Sequence, residues 1–207
     1  MLFRLFYYLK WRISFSKRAK ESKIRKKIKF KQIRDNNQQN FDICLLGDSL
    51  IEYWTIKTIL DRKCFNAGVG DATTEDVLEQ LNNDLLNGTF KIIILILGTN
   101  DVKYKYTLQQ TVENLLRIFA VLYKKYPDSK IIYFQIPPVN GRWDRTNFKI
   151  EELNTTILSK LPSYITTFKL EILKNLKGKL DNRYTYDGLH FNQQAYKLIE
   201  KKLISIL

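Results

Sequence analysis

The chain has 207 residues, enough for one α/β domain with a full hydrophobic core and too few for two of ordinary size. Its 44% hydrophobic and 27% charged residues are ordinary for a globular protein, but Lys and Arg outnumber Asp and Glu by 35 to 21. Two cysteines, Cys44 and Cys64, are too few for a disulfide framework, and one histidine, His190, leaves no Cys/His set for zinc, so neither a metal nor a cofactor is expected.

The charge gathers at the start of the chain. Residues 1–40 hold 13 Lys/Arg against 2 acids, a net of +11; the remaining 167 hold 22 against 19, a net of +3. The part expected to fold is nearly balanced, so no nucleic-acid partner is expected. In Met1–Phe15 the helical period puts Leu2, Leu5, Phe6, Leu9 and Ile13 on one stripe, with Arg4, Lys10 and Arg12 outside it. Those cations interrupt any apolar run long enough for a signal peptide or a membrane span. Interleaved aromatic residues and the polybasic tract Lys17–Lys31 suit an anionic membrane surface, contacted through residues 1–34. A basic helix that packs on its own domain or on a partner, and contact with RNA or a ribosome, are the other readings. With no export signal, the expected location is the cytoplasmic face of a membrane. Asp35–Asn40 (DNNQQN) reads as a linker, which divides the chain into segments 1–40 and 41–207.

From Phe41 onward, short apolar runs alternate with amphipathic ones. Strands are expected at Phe41–Leu46, Lys63–Asn66, Lys91–Leu97, Lys130–Ile136 and, more weakly, Tyr164–Leu170. Helical patterns fall near 50–61, 74–87, 108–126, 146–160 and 192–206. Strands separated by helices imply right-handed crossovers and a parallel sheet covered on both faces. In such sheets ligands bind beyond the carboxyl ends of the strands. That edge would carry Gly47-Asp48-Ser49, Gly68-Val69-Gly70-Asp71, Gly98-Thr99-Asn100-Asp101 and Pro137-Pro138.

Of eight serines, only Ser49 sits directly after a buried strand and at the start of a helix. The position suits a helix-capping serine. It also suits a nucleophile whose own N–H faces an anion, provided a base lies near. His190 is the only imidazole, and Asp187 three residues before it can accept the Nδ1 proton across a glycine turn. Asn100 offers a side-chain N–H₂ to a developing oxyanion, or serves simply as a turn residue.

Gly47-Asp48-Ser49-Leu50, Gly98-Thr99-Asn100-Asp101 and Asp187-Gly188-Leu189-His190, in that order, resemble the GDSL, GTND and terminal DGLH blocks of the GDSL/SGNH hydrolases. The resemblance covers about residues 41–207. It implies a three-layer α/β/α sandwich with a five-stranded parallel sheet, flavodoxin-like in order, and ester hydrolysis through an acyl-enzyme. It makes Ser49 the nucleophile and an oxyanion donor, Asn100 a second donor, and Asp187 and His190 the rest of a triad. Asn66–Thr74 resembles the family's N-x-G-x-x-G-x-T-T stretch, but Asp71 stands where the second glycine belongs. Either Gly70, by a one-residue slip, or Asp71 supplies the third N–H, and Gly70 is slightly preferred.

The expected reaction is hydrolysis of a short acyl ester on a lipid or glycan. An acyltransferase on the same fold, or an inactive membrane-bound binding module, are the alternatives. Pocket walls are expected from Pro137–Thr146 and from the loop before Asp187, with Arg142 and Trp143 as substrate-binding candidates, although Arg142 also suits a solvated surface.

Overall fold

The computed structural model describes the backbone of residues 2–207 and the side chains of residue 17 and residues 19–207. A long first helix, α1 (Leu2–Asp35), precedes an alternating series: β1 (Ile43–Gly47), α2 (Ser49–Glu52), β2 (Thr58–Ile59), β3 (Arg62–Gly68), α3 (Thr74–Asn82), β4 (Ile92–Ile96), α4 (Thr99–Lys103), α5 (Leu108–Lys125), β5 (Lys130–Phe134), α6 (Asn147–Ser159), β6 (Ile165–Phe168) and α7 (Gln193–Leu203). The six strands lie in the order β2-β3-β1-β4-β5-β6. All neighbours are parallel except β2 and β3. With β2 set aside, the five parallel strands take the 2-1-3-4-5 order of flavodoxin-like sheets.

The apolar strands are buried on both faces, as runs of Ile and Leu require. Alternate residues feed two cores. Cys44, Leu46, Ile93, Leu95 and Tyr133 face one layer with α3, α5 and α6. Ile43, Leu45, Ile94, Ile96 and Phe134 face the other with α2 and α7. Capping boxes start α3 (Thr73 with Asp76) and α5 (Thr107 with Gln110).

The sheet has one strand more than the five expected. The helical pattern read over 50–61 ends at Glu52, because the Asn66 amide donates to Ile51 O and Trp54 O and closes α2 there. Leu60 and Asp61, both at positive φ, then turn β2 back onto β3 as a two-residue hairpin.

The stretch read as a linker is tied down. Gln38, fully buried, donates to Ile33 O and Leu85 O and accepts from the Asn87 N–H. Phe30 and Ile33 of α1 enter the core that contains Phe65 and Phe90. The expected boundary at residue 40 thus separates two segments that share one core. The apolar stripe over Leu2, Leu5, Phe6, Leu9 and Ile13 lies outside the described side chains. Among the described residues no helix is long and apolar enough to cross a membrane.

Replacing Phe30 with Ala removes a buried ring and should cost about 3 kcal/mol. A chain of this size would then melt roughly 6–12 °C lower. A thermal melt within about 2 °C of the unaltered chain would mean that α1 is not part of the cooperative core.

Candidate active site

Three turns at the carboxyl ends of β1, β3 and β4 meet the loop before α7. Gly47 closes β1 where a Cβ would stand 2.0 Å from Ile96 O, so only glycine lets the strands run this close to the turn. The Asp48 carboxylate caps α2 by accepting from the Leu50 N–H at 2.9 Å. Ser49 follows, with 6% of its surface exposed, as the first residue of that helix.

Ser49 Oγ lies 3.0 Å from His190 Nε2, and His190 Nδ1 lies 2.9 Å from Asp187 Oδ2. The other Asp187 oxygen accepts from the backbone N–H groups of Leu189 and His190 at 3.0 and 2.8 Å. Burial pushes the Asp187 carboxyl up, but these hydrogen bonds outweigh it, so the group sits below its ordinary value. Gly188 makes the tight return possible: its φ is +79°, and a Cβ would collide with Asn140 O. A hydroxyl bonded to an imidazole whose far nitrogen faces a carboxylate can pass its proton to the ring as it attacks a carbonyl.

Asn100, buried at the start of α4, gives one amide hydrogen to Ala72 O at 3.0 Å and has a second to offer. Its neighbour Asp101 accepts from the Thr74 N–H and hydroxyl, which locks the turn after β4 to the start of α3. The 69–73 loop separates the two glycine-position candidates. Val69 N–H donates to Gly47 O, Gly70 N–H to Glu52 Oε2, Ala72 N–H to Val69 O and Thr73 N–H to Asp76. Among the described residues, the Asp71 N–H alone in this run has no partner. Asp71 is also the residue at φ +68°, the conformation for which glycine is the usual choice. The Ser49 N–H likewise has no partner among the described residues.

The Asp71 carboxylate is bound by Lys103 Nζ at 2.7 Å and by the Ser22 and Tyr104 hydroxyls. Burial raises its pKa, but these three donors outweigh that and hold it below its ordinary value. The charge is therefore matched before any substrate arrives.

Arg142 forms two bonds of 3.1 Å to Asp144 and stands 3.5 Å from Asp187 Oδ2, so it meets carboxylates of its own chain. Trp143 is 93% exposed. A cleft of about 620 Å³ opens beside His190 and is lined by Tyr53, Ile56, Tyr186, Phe191, Gln193 and Lys197, among others. Its walls thus come from the turn after α2, from the loop that carries Tyr186 and Asp187, as expected, and from α7, but not from Pro137–Thr146. The Tyr53 ring stands 5.1 Å from the His190 ring. Sequence reasoning did not single out Tyr53, Glu52 or Lys103. Glu52 and Tyr53 do lie one helical turn beyond Ser49, which is the only signal they carry.

Residues 45–198 match the GDSL-like Lipase/Acylhydrolase family. Among named proteins, the N-acylneuraminate cytidylyltransferase of Escherichia coli O18:K1:H7 is 32% identical over 169 residues, covering 80% of this chain and 40% of that protein. The enzyme of the same name from Streptococcus agalactiae is 26% identical over 167 residues, covering 76% and 37%. The chain therefore spans about two fifths of the length of either relative. A Streptococcus pneumonia protein whose structure carries the name of a platelet activating factor superposes with a TM-score of 0.84 at 24% identity, covering 94% of this chain and 98% of that one. A GDSL-like lipase of Bacteroides thetaiotaomicron gives 0.69 at 19%, covering 87% and 95%. These structural likenesses establish the fold.

Beneath Ser49, complete burial pushes the Asp48 carboxyl up from 3.8 to about 7, against the opposing Leu50 N–H bond and the nearby Arg145 charge. A carboxyl raised on folding stabilises fully below its unfolded pKa and loses that contribution as pH rises through its folded value. The loss therefore falls between about pH 4 and pH 7. The Asp48→Asn variant keeps the cap and removes the titration, so its melting temperature should fall less between pH 5 and pH 8 than that of the unaltered chain. Parallel pH–melting curves would show that Asp48 does not carry this proton.

Proposed function

Because the chain belongs to the GDSL-like lipase/acylhydrolase family, we propose that it hydrolyses a short-chain carboxylic ester through an acyl-enzyme on Ser49. The observation that carries this reading is the continuous hydrogen-bonded line from Ser49 Oγ through His190 to Asp187. In the forward step Ser49 Oγ bonds to the ester carbonyl carbon and its proton passes to His190 Nε2. The carbonyl oxygen becomes an oxyanion, facing the N–H groups of Ser49 and Asp71 and the free amide hydrogen of Asn100. His190 then returns the proton to the leaving alkoxide as the C–O bond breaks. Water repeats the sequence on the acyl-serine and releases the carboxylic acid. Asp187 holds the imidazole tautomer and balances the imidazolium.

The half-exposed Asp187 and the open cleft beside His190 favour water as the acceptor over a second alcohol. For the alcohol part of the ester we favour an acylated sugar. Tyr53 and Tyr186 supply aromatic faces for a sugar ring, and Lys197 offers an ammonium to an acidic one. The curated relatives are named for N-acylneuraminate, an acidic sugar.

The outer face of α1 suits an anionic membrane surface. Ile24 and Ile28 are 60% and 53% exposed, and Lys20, Lys23, Lys27 and Lys31 are exposed around them.

Ser49→Ala and His190→Ala should each lower kcat for p-nitrophenyl acetate by at least about 10³-fold with folding intact. Turnover within about ten-fold of the unaltered chain in either variant would remove the triad assignment. The full chain should co-sediment with vesicles containing phosphatidylglycerol but not with pure phosphatidylcholine, and binding should weaken as salt rises from about 0.05 to 0.5 M. Equal binding to both vesicle types would exclude the electrostatic reading.

A further inference from the structure

We propose that Arg25 of α1 is a positioning residue for the oxyanion site, fixing the Gly70–Asp71 peptide so that the Asp71 N–H is aimed at the reacting carbonyl. The proposal rests on Ser49 as nucleophile and on the Asp71 N–H as one of its oxyanion donors. Arg25 lies outside residues 45–198, the segment that matches the family, and belongs to none of the three motif blocks.

The geometry is that of a planar unit held from one side. Arg25 Nη2 donates to Gly70 O at 2.9 Å. That carbonyl and the Asp71 N–H belong to the same trans peptide, so they point in opposite directions, and holding one sets the other. Arg25 pulls the carbonyl toward α1; the N–H is thereby turned to the far side of the peptide, away from the helix. The guanidinium charge also draws electron density through the amide, which makes that N–H a stronger donor.

The surrounding groups leave the peptide little other freedom. Glu52 Oε2 accepts from the Gly70 N–H at 2.8 Å and stands 3.7 Å from Arg25 Nη1, while Lys29 lies 3.6 Å from the other Glu52 oxygen. A Cβ on residue 70 would stand 2.5 Å from Glu52 Oε2 and 3.0 Å from Arg25 Nη1, so glycine leaves room for the pair to close over the loop. Ser22, three residues before Arg25 and on the same helix face, donates to the Asp71 carboxylate. The φ of +68° is sparsely populated for an aspartate and persists only where its surroundings enforce it. Two α1 side chains take part in that enforcement. Arg34 docks the helix on α3 through Gln80 without touching the loop, whereas Lys26 binds the same Asp76 oxygen that accepts from the Thr73 N–H.

The test uses the full chain, a p-nitrophenyl acetate assay and inhibition by a simple alkylboronic acid, whose tetrahedral adduct on Ser49 mimics the charged intermediate. Arg25→Gln should lower kcat about ten-fold or more, leave KM within about two-fold, and weaken boronate inhibition by a similar factor. Arg25→Lys should recover part of the loss. Arg34→Ala, which removes a docking contact to α3 only, should lower the melting temperature and keep kcat. Arg25→Met keeps the aliphatic stem and must repeat the Arg25→Gln result, which guards against a folding failure. The proposal is overturned if the Arg25 variants keep kcat within about two-fold, if the loss appears in KM, or if Arg34→Ala shows the same loss. Because each comparison is made against an unaltered chain that turns over, failure here leaves the Ser49 assignment standing, whereas an unaltered rate in Ser49→Ala would remove both.

Discussion

The 3.0 Å hydrogen bond between Ser49 Oγ and His190 Nε2 joins residues 141 positions apart, and most of the architecture serves to keep its two ends in register. On the serine side, β1 lies inside the sheet between β3 and β4, so the turn that follows it is fixed by neighbours on both sides. On the histidine side, α7 is bound back to the helix that Ser49 begins. Tyr196 Oη donates to Leu50 O at 2.8 Å, Trp54 Nε1 donates to Glu200 at 2.8 Å, and the two rings stack. A long-range contact of this kind has a large loop-closure cost, and packing both of its flanks spreads that cost over the core. A single polar bond then needs little stability of its own to be held at 3.0 Å.

The same geometry concentrates carboxylates around Ser49. Asp48 and Asp101 are buried next to Ser49 and Asn100 in the chain, and burial raises them to about 7 and about 6 against their hydrogen bonds. Each caps a helix start, Asp48 for α2 and Asp101 for α3, so its acceptor role is structural and a raised pKa is tolerated. Asp71 differs. It sits on the rim, and three donors, one of them the Lys103 ammonium, hold it ionised but balanced. Two carboxyls raised by burial thus lie near the Ser49 and Asn100 turns, with an ion-paired carboxylate on the rim.

What the sequence made legible follows from how local each signal is. The buried runs at 43–47 and 92–96 announced strands because a doubly covered strand must be apolar throughout. Ser49, Asn100, Asp187 and His190 stood out because short motifs carried them, and the structure brings Ser49, Asp187 and His190 into one hydrogen-bonded line. The misread stretch, 50–61, depends on distant groups: Asn66 ends α2, and the Leu60–Asp61 turn uses residues whose side chains do not advertise positive φ. Arg142 and Trp143 looked available from sequence, but a guanidinium is placed by its partners, and Asp144 and Asp187 lie closer than any substrate cleft. Residue type could not separate Gly70 from Asp71, because what distinguishes them is that the Gly70 N–H already has Glu52 as its acceptor.

The excess positive charge of helix α1 is two populations sharing one helix. Lys26, Lys29 and Arg34, together with Arg25, whose side chain stays 54% exposed, meet Glu52, Asp76 or Gln80, while Phe30 and Ile33 enter the core. Lys20, Lys23, Lys27 and Lys31 are exposed, with Ile24 and Ile28 between them. Contacts, and not the helical period alone, divide these sets: Lys27 and Arg34 are seven apart and share a face, yet Arg34 reaches Gln80 while Lys27 is exposed. A charged surface that attracts the outer set therefore has no need to displace the inner one. Attraction to such a surface and bracing of the 69–73 loop can coexist on one rigid rod, which places any docked surface on the face opposite the loop it braces.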